Sequence, residues 1–310
     1  MTTQQAGILI TYTPEIPGGV ARELTRQLVA HGYRVTVMTN GSDGARVIRG
    51  AGGLPAYSSL TRAGEIRSML KAANAQVIVN LAPQSMNHVP ALKTAWDESV
   101  LSAGTAAVID AAKEAGVEYL LHTSYSYVGG GVPDGAADFL RAAAAAERKV
   151  LASGVPAAVL RFGFLYGDSA ELAAVRDALR LGRPLDPGYN VPVSWVSISD
   201  AANALLRAVQ RRPTGVTLNV VDDNEATTAE FMNYFTQAQG LGLAPRLPFL
   251  SALTGDKQVT ALMHIPAHAD NLETKNALGW SPRFADYRAG IDDTLLTWRA
   301  RAYEAEEVAR

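Results

Sequence analysis

The chain of 310 residues contains no cysteine, so disulfides, thiolate nucleophiles and cysteine-based metal sites are all excluded. It also has no apolar run as long as a membrane span. Residues 1–6 lack the basic and apolar regions of a signal peptide. These absences predict a cytoplasmic protein with no membrane partner.

An excess of charge of either sign is missing as well. The formal net charge is −2 and only 19% of the residues are charged, so the chain has no electrostatic footprint for nucleic acid. What it has instead is apolar content, at 48% of all residues. That content is enough for one large domain or two modest ones with a real core.

The first forty residues carry the clearest pattern in the chain. The apolar run 8–10 predicts a strand, and Val20, Leu24 and Leu28 recur at the four-residue spacing of a helix face. Alternation over residues 34–39 predicts a second strand. In a doubly wound sheet, the turn of such a unit faces a dinucleotide pyrophosphate, which lies on the helix N-terminus.

The same alternation of strand and helix continues along the chain. Strands are predicted over 77–82 and 117–123, and helices over 61–73, 91–115 and 138–153. Residues 159–167 resemble a sixth strand with the loop after it, and 217–221 resemble a later strand. Residues 193–200 resemble a strand that enters a helix at Ser199-Asp200, which we interpret as an N-cap pair. The weak region is 41–60, where the pattern suggests only a short strand around Val47 and Ile48.

These elements predict an α/β fold, a doubly wound parallel sheet (Rossmann-like) with a smaller mixed C-terminal lobe. We expect residues 1–163 and 192–221 to form the nucleotide-binding domain. Residues 164–191 and 222–310 are expected to form the smaller substrate-binding lobe.

The order of elements resembles that of the extended short-chain dehydrogenases, the NAD-dependent epimerase/dehydratase family. The strand end His122–Gly129 and the closing segment Asn276–Pro282 match its pattern, and the resemblance covers residues 7–298. It implies NAD or NADP as cofactor, bound around the first turn and the ends of the central strands. The implied cofactor-binding residues are Thr11, Thr13, Ile16, Gly18, Asn40, Leu81, Ala82, Arg161 and Phe162.

The first turn departs from the GxxGxxG loop of that family. The three glycine positions fall on Tyr12, Glu15 and Gly18, and Pro14 and Pro17 remove two backbone donors from the phosphate cradle. Glu15 would place a carboxylate near the pyrophosphate, a repulsion of about 4 kcal/mol at about 4 Å and an effective dielectric near 20. The loop therefore allows a second interpretation, in which the protein keeps the topology but binds no dinucleotide. Asn40, at the end of the second strand, does not decide between NAD and NADP.

The catalytic motifs of the resembled family are only partly present. Ser124 falls on the serine that holds the substrate oxygen, and Tyr125 and Tyr127 follow it. The family's Tyr-x-x-x-Lys pair falls on Phe139 and Ala143, which carry no proton and no charge. The usual acid/base step cannot run through these two positions.

Two hypotheses follow from these departures. The first is an atypical NAD(P)-dependent epimerase, dehydratase or reductase that acts on a small molecule, either a nucleotide sugar or another carbonyl or hydroxyl compound. Ser124 would orient the carbonyl or hydroxyl group, and Tyr125, Tyr127, His122 or Arg141 would replace the missing pair. Burial and hydrogen bonding inside the fold is the competing role for His122, and core packing is the competing role for both tyrosines. The second is a cofactor-independent lyase, isomerase or cyclase, or a ligand-binding regulator, on the same fold.

The remaining predictions concern the lobe, metals and assembly. Arg183, Tyr189, Asn190 and Trp195 are candidates along the lip of the substrate pocket. His264 and His268 have the spacing of a metal-binding helix face, but Pro266 interrupts it, and we expect no metal site. In the resembled family the two long helices form a dimer interface, which implies a homodimer here.

Overall fold

A computed structural model of the chain describes residues 6–11, 19–39, 41–81, 100–130, 137–182, 192–245 and 268–308. The strands in these ranges are β1 (Gly7–Thr11), β2 (Arg34–Thr39), β3 (Leu54–Tyr57), β4 (Ala75–Asn80), β5 (Tyr119–Tyr125), β6 (Ala157–Phe162), β7 (Phe164–Tyr166), β8 (Pro192–Val193), β9 (Trp195–Ser197), β10 (Val216–Val220) and β11 (Ala226–Thr227). The helices are α1 (Gly19–Ala30), α2 (Ser42–Gly50), α3 (Ala63–Ala73), α4 (Thr105–Ala115), α5 (Ala137–Leu151), α6 (Ala170–Arg180), α7 (Ile198–Arg211), α8 (Thr228–Gln237), α9 (Leu272–Leu278) and α10 (Tyr287–Val308).

A seven-stranded parallel sheet forms the centre of the molecule. Its strand order is β3-β2-β1-β4-β5-β6-β10, so the direction of winding reverses between β1 and β4. This confirms the doubly wound α/β fold expected from the sequence. In open α/β sheets, the crevice at such a reversal, outside the carboxyl ends of the strands, is where ligands bind.

Helices cover both faces of this sheet, which is why its strands read as apolar runs. On one face, Ile8 and Ile10 share a core with Leu24 of α1 and Leu205 of α7. On the other face, Leu9, Ile78 and Leu120 pack with α3, α4 and the end of α5 through residues such as Leu70, Val108 and Val150. Alternate residues of β1, β4 and β5 therefore point to opposite faces.

The C-terminal lobe is built on a separate, aromatic core. β7 pairs with β9 in parallel, β8 pairs with β11 in antiparallel, and α6, α8 and α10 pack around these two short sheets. Trp195 stacks on Phe231 with ring centroids 4.1 Å apart, and Tyr287 tilts against both rings. The smaller mixed lobe is present as expected, and the residue boundaries given for the two domains stay predictions.

Three local predictions are wrong. Val47 and Ile48 lie inside α2 rather than in a strand, because Ala45 and Ile48 form a helical buried face, and the third strand is β3. The strand predicted over 117–123 runs two residues further than predicted, so Ser124 and Tyr125 belong to β5. The N-cap of α7 is Ser197, whose hydroxyl accepts from the Asp200 backbone N–H, and not the pair Ser199-Asp200.

The other elements that the sequence predicted begin and end within a few residues of their predicted positions, whereas α6, α8 and α10 had no counterpart among the predictions. α1 ends at Ala30, and Gly32 follows with φ of 85°, a left-handed conformation that glycine adopts without strain. Only the part of the long helix 91–115 from residue 100 onward is described, as a π-helical turn (Val100–Gly104) followed by α4. Among the described helices, none combines the length and the apolar content that crossing a membrane requires.

Candidate active site

Three polar side chains are hydrogen-bonded in line across the carboxyl ends of the central strands. Thr11 of β1, Asn80 of β4 and His122 of β5 are register partners, and each is at most 2% exposed. The Thr11 hydroxyl donates to Asn80 Oδ1 at 2.5 Å, and Asn80 Nδ2 lies 2.9 Å from His122 Nδ1. We call these three residues the carboxyl-edge row. It crosses the switch point of the sheet and lies on the face covered by α3, α4 and α5.

His122 is neutral in this position. Burial lowers its pKa to about 4, and the nearby Glu147 carboxylate opposes this effect only weakly. The expectation that His122 is buried and hydrogen-bonded is confirmed. A general acid or base that works near pH 7 needs a pKa close to that value, so His122 is poorly suited to exchange protons with a ligand.

Ser124 lies two residues further along β5 than His122 and on the same face of the sheet. It is 1% exposed, and within the described part of the chain its hydroxyl has no hydrogen-bond partner. The hydroxyl of Ser126, in the 3-10 turn that follows β5, is buried and unpaired in the same sense. Buried polar atoms in proteins are nearly always paired, so these two hydroxyls are candidates for contact with a bound ligand.

Arg161 faces Ser124 across the β5–β6 pair, but its guanidinium is held by the protein. It donates two hydrogen bonds to Glu147 of α5, from Nε at 2.9 Å and from Nη2 at 2.6 Å. The side chains are 20% and 7% exposed, respectively. This two-fold contact anchors α5 over the carboxyl end of β5. Contact of Arg161 with a cofactor stays a prediction.

Tyr125 and Tyr127 are packed into the lobe core rather than open to a ligand. They are 0% and 2% exposed, and their rings stack with centroids 5.2 Å apart. Burial raises the pKa of both phenols, and for Tyr127 the neighbouring Tyr125 adds to the effect. A raised pKa makes a phenol a weaker acid and leaves less of the phenolate form to act as a base at neutral pH. Neither tyrosine is therefore a ready substitute for the missing Tyr-x-x-x-Lys pair.

Two further residues that were predicted to bind the cofactor, Leu81 and Phe162, lie in or directly beside the central sheet. The Leu81 backbone N–H donates to the Thr11 carbonyl at 3.1 Å, which extends the β1–β4 pairing by one residue, and Phe162 is fully buried in the core of the sheet. Predicted site residues and departures from the family pattern that lie outside the described residues are Tyr12, Thr13, Glu15, Ile16, Gly18, Asn40 and Ala82.

On α5 the position of the family lysine is Ala143, which is 1% exposed and packs in the lobe core. Phe139 occupies the tyrosine position, and its side chain lies outside the described part of the chain.

The candidates in the lobe are only partly described. Arg183, Tyr189, Asn190 and His264 lie outside the described residues. Trp195 is 1% exposed, and its indole N–H donates to the Ala226 carbonyl at 2.9 Å, so it is a core residue and not part of a pocket lip. His268 Nδ1 lies 2.7 Å from Glu225, and the described residues contain no group of three or more potential metal ligands.

A second polar cluster joins the nucleotide-binding side to the lobe. Asp168, in the β7–α6 loop, accepts from Arg22 of α1 at 2.5 Å and from the Trp298 indole N–H at 2.7 Å, and it pairs with Arg301 at 2.7 Å. Burial alone would raise the pKa of Asp168, but the bonds from Arg22 and Trp298 outweigh it and lower the pKa. We call these four residues the Asp168 junction.

Sequence reasoning missed Asn80, Glu147 and Asp168 as parts of these networks. A signal was available for Asn80, since it is a polar residue at the end of an otherwise apolar strand. Glu147 and Asp168 carried no comparable signal, because their partners are 14 to 146 residues away in the sequence.

Comparison with known proteins points to a dinucleotide-binding fold. The model of a family described as NAD(P)H-binding matches residues 17–211. A curated Streptomyces protein, 3-diazoavenalumate denitrifying reductase, is 30% identical over 258 residues, which is 73% of this chain and 82% of that protein.

Solved structures match over almost the full length. UDP-glucose 4-epimerase from Thermotoga maritima has a TM-score of 0.74 at 16% identity, covering 96% of this chain and 99% of that one. dTDP-glucose 4,6-dehydratase from Bacillus anthracis, in complex with NAD, has a TM-score of 0.72 at 14% identity, covering 96% and 97%. UDP-glucose 4-epimerase from Thermus thermophilus, also in complex with NAD, has a TM-score of 0.70 at 20% identity, covering 94% and 99%. At these identities the likeness establishes the shared fold.

Proposed function

Because this chain belongs to the NAD(P)H-binding family and has the fold of the NAD-dependent epimerases and dehydratases, we propose that it is a reductase that transfers a hydride from NAD(P)H to a small molecule. The observation that carries the proposal is Ser124, whose buried hydroxyl has no partner among the described residues and lies beside the switch point. The reductase relative supports reduction over epimerisation or dehydration.

The described residues fit a dinucleotide at this edge. The crevice is expected at the carboxyl ends of β1 and β4, next to Thr11 and Leu81, and Ser124 and Ser126 offer hydroxyls that the described chain leaves unpaired. NAD(P)H, when bound, supplies the hydride. Ser124 donates to the polar group of the substrate beside the reacting atom and so orients it, and α5, anchored by the Glu147–Arg161 pair, covers the site from water.

We propose that the substrate carries its diazo group as an aromatic diazonium cation, since the name of the reductase relative indicates a diazo compound as that protein's substrate. Replacement of a diazonium group by hydride follows R–N₂⁺ + H⁻ → R–H + N₂. The hydride electron pair forms the new C–H bond, and dinitrogen leaves with the former C–N pair, so the protein supplies no proton. Phe139 and Ala143, in place of the family's tyrosine and lysine, are compatible with such a reaction.

The first test is titration calorimetry of the purified protein with NAD, NADH, NADP and NADPH. We expect micromolar binding of at least one of them. Turnover is then followed with an aromatic diazonium carboxylate and dinucleotide deuterated at the reactive carbon. We expect deuterium at the carbon that carried nitrogen, and no conversion of UDP-glucose. Absence of dinucleotide binding at millimolar concentration would contradict the proposal and favour the cofactor-independent lyase, isomerase, cyclase or ligand-binding regulator.

We also propose that the protein is a homodimer that pairs through α4 and α5. A groove of about 290 Å³ lies between the turn Val100–Gly104 and α5, and small side chains such as Ala142 and Ala145 line it. Small residues allow two helices to approach closely. Light scattering after gel filtration should give twice the chain mass of 32.9 kDa, and Ala145→Glu should give the monomer mass. A monomer mass for the unaltered protein would contradict the pairing.

A further inference from the structure

His122 has one ring nitrogen that the described structure leaves unused. Its Nδ1 faces Asn80, whereas its Nε2 is fully buried and has no hydrogen-bond partner among the described residues. An unpaired buried donor or acceptor typically destabilises a fold, so a native protein that retains one usually has a use for it.

The distances in the carboxyl-edge row determine which nitrogen carries the proton. The 2.5 Å contact of the Thr11 hydroxyl with Asn80 is in the range of an O–H···O bond and is too short for N–H···O. The Asn80 oxygen therefore faces Thr11, and its NH₂ group faces His122. Because that group can only donate, Nδ1 of His122 is the acceptor. The proton of the neutral ring is consequently on Nε2, which makes the unused atom a donor.

This donor lies next to the unpaired hydroxyl of Ser124. The two residues are separated by one residue on β5 and point to the same face, under α5. The charged groups closest to them are already engaged, since both oxygens of Glu147 accept from Arg161. His122 Nε2 and Ser124 Oγ are thus two neighbouring donors without a described partner.

We propose that His122 donates its Nε2–H to a bound acceptor beside Ser124, as a second hydrogen-bond donor of the hydride-transfer site. This proposal rests on the proposed function for the identity of the ligand. The acceptor is an oxygen or nitrogen atom, and it belongs either to the nicotinamide carboxamide or to the reducible substrate.

The chemistry of such a donor differs from that of the missing tyrosine. A neutral imidazole polarises an acceptor without giving up its proton, because the ring has no second acidic proton near neutral pH. The groups that face His122 are Asn80 from β4, Glu147 from α5 and, beyond Glu147, Arg161 from β6. The Asn80–Thr11 contacts hold the ring in one tautomer, and the fixed ring holds the acceptor in position while the hydride is transferred.

The experiment uses protein labelled with ¹⁵N-histidine, in which the His122 resonance is assigned among five histidines by its loss in His122→Gln. Between pH 5.5 and 8.5 we expect the neutral ring with Nε2 protonated throughout. NADP⁺ alone, the diazonium carboxylate alone and both together are added as probes. A response to NADP⁺ alone identifies the carboxamide as acceptor, and a response that needs the carboxylate identifies the substrate.

Two variants separate hydrogen bonding from packing. His122→Gln keeps an acceptor for Asn80 and an N–H beyond it, whereas His122→Met keeps only the volume. We expect His122→Met to lower kcat about 10- to 100-fold with little change in dinucleotide affinity, and His122→Gln to restore most of that loss. Equal kcat values for the wild type and His122→Met would overturn the proposal.

Failure of this proposal is distinguishable from failure of the proposed function. If the wild-type protein binds no dinucleotide, the proposed function fails, yet a response of the His122 resonance to the carboxylate alone would still support the donor. The proposal that His122 is a donor is overturned if its resonance responds to none of the three probes. It is also overturned if the ring proton is on Nδ1 instead of Nε2.

Discussion

The carboxyl-edge row and the Asp168 junction are both polar clusters that join distant segments, but their hydrogen bonding differs. In the row, with Ser124 beside it, buried atoms remain unpaired within the described chain. In the junction, Asp168 is about a quarter exposed and accepts from three side chains.

A partly exposed cluster whose hydrogen bonds are all made within the chain stabilises the protein without a ligand, because it holds distant elements together. A buried cluster with unpaired atoms destabilises the free protein relative to a state in which those atoms are bonded. We therefore expect the paired residues of the junction to contribute to stability, and the unpaired atoms of the row and of Ser124 to contribute to ligand binding. Four predictions test it, from the largest expected effect to the smallest.

Replacement of Ser124 by alanine should separate activity from stability most clearly. The unpaired hydroxyl contributes no hydrogen bond to the described fold, so the free energy of unfolding should change by less than about 1 kcal/mol. Turnover should fall about 100- to 1,000-fold, because the donor that orients the substrate beside the reacting atom is lost. Ser68→Ala, on the exposed surface of α3, is the matched control and should change neither quantity. A Ser124 variant with wild-type turnover would place this residue with the structural ones.

Replacement of Glu147 by glutamine should show the opposite behaviour, with a large effect on stability. It leaves the Arg161 guanidinium, 20% exposed, without its buried carboxylate, and we expect a loss of about 3 kcal/mol in the free energy of unfolding. Glu118→Gln breaks the exposed Arg212–Glu118 pair and should cost less than about 1 kcal/mol. Urea denaturation measures the free energy of unfolding of both variants. Equal losses would mean that burial of the Arg161–Glu147 pair contributes nothing to stability.

The pH dependence of stability tests the state of His122. Its pKa is about 4 in the folded protein, against 6.5 when exposed, so the unfolded chain binds a proton first as the pH falls. Stability is therefore retained above about pH 6.5 and lost between that value and about pH 4, by roughly 3 kcal/mol in total.

His122→Gln lacks this ionisation, so its unfolding free energy should fall less over the same pH range. Buried Asp200 and Asp222, whose pKa values burial raises, titrate in both proteins and cancel in the difference. Parallel curves of unfolding free energy against pH for the two proteins would show that His122 binds its proton as readily in the folded state as in the unfolded chain. That result would contradict the lowered pKa.

Replacement of Asp168 by asparagine should have the smallest effect of the four. The change keeps the shape and one acceptor but removes the charge that Arg22 and Arg301 contact, so we expect a loss of about 1–2 kcal/mol that shrinks at high salt. Asp293→Asn, in the exposed Arg283 pair, is the control and should change stability by less than about 0.5 kcal/mol. Unchanged stability of the Asp168 variant would mean that the junction does not hold α1 to the lobe.

The success of sequence reasoning along the chain followed the strength of local signals. α1 was located from three apolar residues at helical spacing, and all of them are buried. Region 41–60 was misread because α2 contains glycine at positions 44 and 50 and buries only Ala45 and Ile48. β3 is an edge strand whose Leu54 and Tyr57 are exposed, so it lacks the alternation by which half-buried strands are recognised.

For the candidate site the sequence supplied residues whose roles stay predictions. Ser124 follows an apolar run at a recognisable motif, and its buried hydroxyl has no partner among the described residues. Tyr125 and Tyr127 share that motif, yet the packing of the lobe around them makes them core residues. Whether an aromatic side chain at a strand end faces a ligand or a core depends on what packs over it, which no local pattern records.

The sequence by itself determined the type and order of most elements, because helical and strand periodicity, caps and turns act over a few neighbouring residues. From these the doubly wound sheet follows, and with it the edge at which a ligand binds. Tertiary structure alone decided that Thr11, Asn80 and His122 form one hydrogen-bonded row, and that Arg161 pairs with Glu147. Strand register and helix docking result from packing the whole core at once, so residues far apart in the sequence acquire their partners only in the folded molecule.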